Sequence, residues 1–436
     1  MKLGLSSLKV VLRAFQHRNY RLFFFGQGVS LIGTWTQQVA LSWLVYRLTG
    51  STLLLGLVAF ANQIPILFFS PFAGVAADRF NRKHLLLWTQ ALSMVQALVL
   101  AALVLTGFIE PWHIVVLSIF IGTVNAFDMP IRQAFVIEMV ERREDLGNAI
   151  ALNSALFNSA RFIGPTVAGI LISSLGEGIC FLVNAISYVA VLAALQAIRV
   201  ERKQLSRQSG PVWCELREGI TYIQNFKPII AILALLSVFS IAGSPYMVLM
   251  PAYAKDVLHG NAGTFGLLMS SVGVGALAAT VYLASRKNAQ GLMKLIPAAA
   301  GIFGLGISAF ALSRSFTLGI FFLFVAGFSM MCQIASSNTI IQTVVDEDKR
   351  GRVMSFYAVS FLGVMPFGSL LAGSIAGKIG VQNTLLLGAA LCIIGASIFA
   401  SKLPKLIELL RPAFTRLESC GIDRDRKTAP VSPEIH

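Results

Sequence analysis

The chain has 436 residues, 56% of them hydrophobic and only 13% charged, with mean hydropathy +0.74. Soluble domains carry about a quarter charged residues, so this composition leaves too few polar groups to coat a soluble multidomain enzyme, and it excludes a disordered chain. The formal net charge of +15 belongs to membrane topology rather than to nucleic acid, because no basic run is interleaved with aromatics.

A membrane-spanning helix needs about 20 mostly apolar residues. The basic N-terminal stretch MKLGLSSLKVVLRAFQHRNYR precedes an apolar run from Leu22. That run is too long for the core of a signal peptide and shows no small-residue cleavage site, so it reads as the first span. In chain order the expected spans are 20–46, 53–77, 84–107, 112–136, 147–174, 178–198, 229–254, 262–285, 292–313, 316–345, 353–377 and 381–402. None alternates as a barrel strand does, which leaves α-helices as the way to satisfy the backbone in lipid. The five cysteines and five histidines are scattered without ligand or CxxC spacing. No disulfide framework, metal or other cofactor is expected.

With the N-terminus on the cytoplasmic side, 30 of the 35 Lys and Arg fall on that side, four fall on the other, and Arg161 lies within a span. This is the positive-inside asymmetry, with an even number of spans and both ends cytoplasmic. The basic residues then face anionic lipid. Gly164–Gly169 matches Gly368–Gly373 at an offset of 204, Arg82-Lys83 matches Arg286-Lys287 at the same offset, and Glu141–Asp145 matches Asp346–Arg350 at 205. Three ordered matches indicate a duplication of six spans in like orientation, which places a substrate site at the interface of the halves. The expected organisation is a bundle over 1–198, a cytoplasmic linker over 199–228, a second bundle over 229–403 and a short charged, partly disordered tail over 404–436. Within the linker, Val212, Trp213, Leu216, Ile220, Ile223 and Phe226 recur at helical spacing, which predicts an amphipathic helix on the membrane surface.

From about Asn19 to Leu403 the chain resembles the major facilitator superfamily. The sharpest match is Gly74-Val-Ala-Ala-Asp78-Arg79-Phe-Asn-Arg82-Lys83, similar to that superfamily's G-x-x-x-D-R-x-x-R-[RK] loop between spans 2 and 3. Asn19-Tyr-Arg-Leu, Leu41–Ser51, Asp128-Met-Pro-Ile-Arg132-Gln, Asn148–Gly169 and Leu216-Arg-Glu-Gly resemble the branch that contains the bacterial enterobactin exporter and transmembrane secretion effectors. The resemblance implies an all-α membrane protein of twelve helices in two pseudosymmetric six-helix bundles. It also implies alternating access by rocking of the bundles, with spans 1, 4, 7 and 10 lining the cavity.

Several residues stand out against this frame. Gly74, Asp78, Arg79, Arg82 and Lys83 form an expected cytoplasmic gate, with Asp78 set against a helix N-terminus or a cationic partner; Tyr282 replaces the Asp in the second copy. Gly164, Pro165 and Gly169 resemble the antiporter signature G-P-x-x-G-G, with Ala168 at its first closing Gly, and mark a hinge or a seal. Arg161 lies near mid-membrane, where a charge belongs in the protein interior or a wet cavity. Asp128 is the one carboxylate well inside a span. It either pairs with Arg132 at i,i+4 or takes up and releases a proton, with Arg161 biasing it or binding an anionic substrate. The superfamily's span-4 arginine motif has no counterpart upstream of Asp128.

Polar stripes at Gln27, Ser30, Thr34 and Gln37, at Asn125, at Ser240 and Ser244, and at Gln333, Ser337, Asn338 and Gln342 predict a hydrated cavity. The expected activity is export of a small amphipathic molecule, such as a siderophore, drug or secondary metabolite, by proton antiport across the bacterial inner membrane. Uptake by symport is the alternative, and a non-transporting receptor a remote one. An embedded enzyme is not expected, for want of a nucleophile–base cluster, HExxH or a phosphate-binding loop. The expected partners are cargo, protons and lipid, not nucleic acid, with the chain a monomer.

Overall fold

Hydropathy alone places the spans closely. The computed structural model describes residues 13–140, 142–199, 221, 226–286 and 291–428, without the side chains of Pro71, Gly74, Val75, Asp78, Arg143, Glu347, Asp348 and 412–428. Its twelve long helices are α1 (Arg18–Thr49), α2 (Thr52–Arg79), α3 (Arg82–Leu105), α4 (Pro111–Glu138), α5 (Leu146–Leu175), α6 (Glu177–Ala197), α7 (Lys227–Val257), α8 (Ala262–Ala284), α9 (Leu292–Leu312), α10 (Phe316–Val344), α11 (Lys349–Ile379) and α12 (Val381–Thr428). There is no strand among the described residues. Eleven of these helices are long and apolar enough to cross a membrane. The exception is α1, whose 32 residues include Gln27, Ser30, Thr34, Thr36, Gln37 and Gln38. Those polar groups are buried or face a cavity. The expected linker helix over 212–226 lies almost wholly outside the described residues.

The helix ends follow local chemistry. Gly50 closes α1 at φ 61°, and Ser51 Oγ then caps α2 by accepting from Leu54 N at 3.2 Å. Asn81 caps α3, and Asn261 forms a capping box at α8. Gly176 and Gly380, 204 residues apart, make matching turns at φ 83° and 87°. The duplication therefore extends to the connections.

The tail departs from expectation. Rather than ending near Leu403 in a partly disordered segment, α12 continues through Pro404 to Thr428. Leu403, Leu406, Ile407 and Leu410 recur at helical spacing and pack on the start of α7 and on α9 and α10. That apolar stripe supplies the burial that keeps the first turns beyond Pro404 helical.

Within each half the helices pack as repeated pairs, α2 on α4 and α8 on α10, α3 on α6 and α9 on α12. Gly122 of α4 abuts the Asn62 carbonyl of α2, and its counterpart Gly327 of α10 abuts the Val272 carbonyl of α8. The halves meet chiefly along α5–α8 and α2–α11, which are again equivalent pairs. Three segments of the second half are not regular α-helix. π-Turns interrupt α7 at Phe239–Gly243 and Tyr253–Val257, and α11 at Val359–Gly363.

Candidate substrate cavity and its gates

Contacts between the halves concentrate at the end opposite both chain termini, here the far end. Along α5–α8, a Cβ on Gly266 would stand 2.6 Å from the Pro165 carbonyl oxygen and 2.7 Å from Gly169 Cα. Thr166 and Ser270 hydroxyls lie 2.7 Å apart across the same seam. Along α2–α11, Gly373 meets Gly56, and Thr52 Oγ1 donates to the Gly373 carbonyl at 3.0 Å. Beside these seams the Trp43 and Phe265 rings stack at 6.0 Å and 19°. The Tyr46 hydroxyl donates to the Asp256 carboxylate, and Lys255 Nζ lies 5.6 Å from the Tyr46 ring centroid. Small residues let backbones touch, and the polar and aromatic pairs fix their register.

Gly164, Pro165 and Gly169 thus sit on two interfaces. Gly164 is packed under Trp35 of α1, while Pro165 and Gly169 face Gly266 of α8. Helix α5 runs unbroken through Pro165, and Pro165 and Gly169, but not Gly164, stand at the α5–α8 contact.

Beneath the seal is a cavity of about 170 Å³ between the halves. Its first-half walls carry Thr34, Trp35, Gln37, Gln38, Asn62, Gln63 and Asn125. Met247, Phe265, Met269 and Met365 face them from the second half. One wall therefore offers hydrogen bonds and the other an apolar, polarisable surface. Thr34, Gln37 and Asn125 fall where the polar stripes put them. Gln37 also donates to Gln96 at 2.9 Å and accepts from Asn184 at 2.8 Å, so neighbours fix its amide.

Other expected lining residues lie elsewhere. Gln27 and Ser30 are buried inside the first bundle, and Ser240, Ser244, Gln333 and Ser337 inside the second. A helical stripe of amides does not distinguish a wet wall from a packed one. Ser240 donates to the Phe361 carbonyl and so joins the π-turns of α7 and α11. Asn338 and Gln342 bond to each other toward the end of α10 on the side of the termini, where Gln342 is exposed. Missing from the sequence reading were Trp35, Gln38, Asn62 and Gln63. The adjacent amides Asn62-Gln63 in an otherwise apolar span were a visible signal.

Asp128 and Arg161 are not brought together. Asp128 is buried between α3 and α4, and its Oδ1 accepts from Thr89 Oγ1 at 2.8 Å and Gln90 Nε2 at 2.7 Å. Arg132 Nε lies 3.5 Å from Oδ2, the i,i+4 pair. Arg161 instead stands at the junction of the halves. Its Nη2 is 3.7 Å from Met247 Sδ and 3.9 Å from Met330 Sδ, and its guanidinium lies 5.7 Å from the Trp35 ring centroid.

At the other end, Arg82 Nη1 reaches Glu138 Oε1 at 2.7 Å, and Arg82 Nε donates to the Ala77 carbonyl. Lys83 Nζ donates to the carbonyls of Gln196 and Ile198. These bonds join loop 2–3 to the ends of α4 and α6 in the same bundle. Arg79 is exposed, while the placements of Gly74 and the Asp78 side chain lie outside the description.

A family model described as transmembrane secretion effector matches residues 10–420. The chain belongs to that family, within the major facilitator superfamily. It is 24% identical to the Staphyloferrin A transporter of Staphylococcus aureus over 88% of this chain and 97% of that one. It is also 24% identical to Macrolide efflux protein A of Streptococcus pyogenes over 87% and 95% respectively. Among solved structures, the nucleoside transporter NupG superposes with a TM-score of 0.70 at 13% identity, covering 88% of this chain and 99% of that one. The protein is thus a multi-pass membrane transporter of the major facilitator fold, and the relatives act on small molecules.

Proposed function

We propose that the protein exports a small amphipathic molecule across the bacterial inner membrane by alternating access, driven by proton antiport. The observation that carries this reading is the cavity between two halves, one wall rich in amides and the other in Met and Phe, sealed by close helix contact at the far end. The excess of Lys and Arg assigns the end with the termini to the cytoplasm, so cargo enters from inside in this conformation. The rocking units are 1–198 and 229–403, joined by 199–228, with 404–436 as a cytoplasmic extension. The chain acts as a monomer, with no nucleic-acid partner.

The same reading assigns roles to single residues. Pro165 and Gly169 close the outer seam against α8, while Gly164 holds α5 against Trp35 of α1 in the same bundle. Gly74, Asp78, Arg79, Arg82 and Lys83 form the cytoplasmic gate, which engages when the outer seam parts. Asp128 is the proton carrier. Protonation removes its charge beside Arg132 and weakens the α3–α4 link, which couples proton uptake to bundle movement. A siderophore or drug-like cargo accords with the printed functions of the relatives. The test compares small molecules retained by cells with and without the protein, then follows the retained compound in energised inverted vesicles. Uptake into those vesicles, collapsed by dissipating the pH gradient, is expected. Retention unchanged by deletion, or uptake insensitive to the gradient, refutes export or antiport respectively.

A further inference from the structure

We propose that Arg161 binds the carboxylate of an anionic, aromatic cargo at the junction of the two halves. The inference rests on the export reading and adds the chemical class of the cargo. Four other arginines each pair with a carboxylate: Arg132 with Asp128, Arg82 with Glu138, Arg47 with Glu177, and Arg13 with Asp145, which His17 also reaches. Arg161 has none among the described residues. Its polar contacts are two thioethers at 3.7 and 3.9 Å, which are weak acceptors for a guanidinium with five donors. An arginine held at mid-helix without a counter-ion is a site awaiting one.

The surroundings select the rest of the ligand. Trp35 of α1 lies beside the guanidinium and meets Phe157 edge-on at 5.8 Å. Trp35 and Met247 both touch Arg161 and both line the cavity. A planar apolar body against Trp35 and Met247 would bring a carboxylate toward the arginine, which is not itself a lining residue. The amides of Gln38, Asn62, Gln63 and Asn125 would meet its remaining polar groups. The guanidinium fork pairs with both oxygens of a carboxylate, a geometry that lysine and a neutral amide ligand cannot reproduce. A cationic amphiphile is repelled by the same charge.

The site is also mechanically placed. Its contacts come from α1, α7 and α10, so they span both halves. A Cβ on Gly273 of α8 would stand 3.1 Å from the Arg161 carbonyl oxygen. An anion drawn to Arg161 therefore acts on the α5–α8 seam that must part during transport.

The test uses the full chain purified in neutral detergent, with naphthoate, naphthamide and naphthylmethylammonium as probes and calorimetric titration as the readout. Naphthoate is expected to bind about 10- to 100-fold more tightly than naphthamide, and the ammonium more weakly than either. Arg161→Gln should abolish that preference while naphthamide binding persists. Arg161→Lys should keep the sign of the preference and reduce its size. The wild-type ranking needs no variant, so a misfolded substitution leaves the test intact. Equal affinity for the three probes, an unchanged preference in a folded Arg161→Gln, or no binding of naphthoate overturns the proposal. Export of a neutral compound with no such ranking leaves the export reading standing and removes this one. Arg161-dependent naphthoate binding without any cargo movement does the reverse.

Discussion

Replacing Gly266 by alanine tests the seal at a single carbon. The added Cβ would lie 2.6 Å from the Pro165 carbonyl oxygen, 2.7 Å from Gly169 Cα and 3.0 Å from Gly169 N. All three are backbone atoms, which no side-chain rotation can move aside. Carbon atoms in contact sit about 3.5–4.0 Å apart, so α5 and α8 must separate by roughly 1 Å at this point. Overpacking of this kind costs about 1–3 kcal/mol. The contact joins the two halves, so the cost falls on the conformation closed at the far end. The balance should shift by about 5- to 150-fold toward the conformation open there. The equivalent Gly56→Ala, with Ser369 O at 2.6 Å, should act in the same direction. Gly301→Ala is the control, because its nearest neighbour is a side-chain carbon at 3.8 Å, and alanine favours the helix by about 0.5–1 kcal/mol.

The assay places a cysteine at Ser42 on the cavity wall, in a background lacking Cys214 and Cys420; Cys180, Cys332 and Cys392 are buried. A membrane-impermeant maleimide is then added from the far side. Gly266→Ala and Gly56→Ala should label faster than the parent, and Gly301→Ala should match it. Parental labelling in both seam variants, with the proteins folded and inserted, would refute the claim that glycine contacts hold this end shut.

Three further outcomes are expected. Asp128→Asn removes the charge beside Arg132 and should abolish gradient-driven export in proteoliposomes while costing about 1–3 kcal/mol of stability; wild-type coupling removes Asp128 from the proton path. Tyr46→Phe deletes the hydroxyl that reaches Asp256, weakening far-end closure by about 1–3 kcal/mol as a bond to a charged group, and the Ser42 labelling rate should rise. Leu406→Ala with Leu410→Ala opens space where side chains 5% and 1% exposed now pack, at about 2–5 kcal/mol each. A large fall in thermal unfolding temperature is expected, and an unchanged one would return the segment beyond Pro404 to a passive tail.

The spans were legible because lipid permits so few backbone solutions: an apolar run of the right length must be a helix. Helix ends fell close to the hydropathy breaks wherever a capping group marked them, as Ser51, Asn81 and Asn261 do. The run beyond Pro404 was illegible for a complementary reason. Its stripe of Leu403, Leu406, Ile407 and Leu410 is too short to span, and only the tertiary surface of α7, α9 and α10 gives it a partner. The cavity was partly legible. Thr34 and Gln37 reach it, yet Gln27 and Ser30 on the same stripe are buried within the bundle. Periodicity gives the face of a helix but not which neighbour covers each turn of it. The separation of Asp128 from Arg161 is likewise a matter of tertiary placement, since both are interior charges in adjacent spans.

The duplicated seams and the unequal halves divide the labour of a cycle. Gly169 against Gly266 and Gly373 against Gly56 are equivalent contacts, so the two halves can part along both seams by one rotation without tearing either bundle. The departures from symmetry lie in the second half. Helices α7 and α11 carry π-turns, whereas their counterparts α1 and α5 do not. A π-turn leaves backbone groups without regular partners and marks a place where a helix can change its bend. Ser240 within one π-turn donates to Phe361 within another, which ties the two irregular segments together. Helix α11 holds the Gly373 side of one seam, and α7 carries Met247 on the cavity wall beside Arg161. The first half thus supplies a hydrogen-bonded frame around Gln37, Gln96 and Asn184. The second supplies the adjustable helices that connect an occupied cavity to the outer seal.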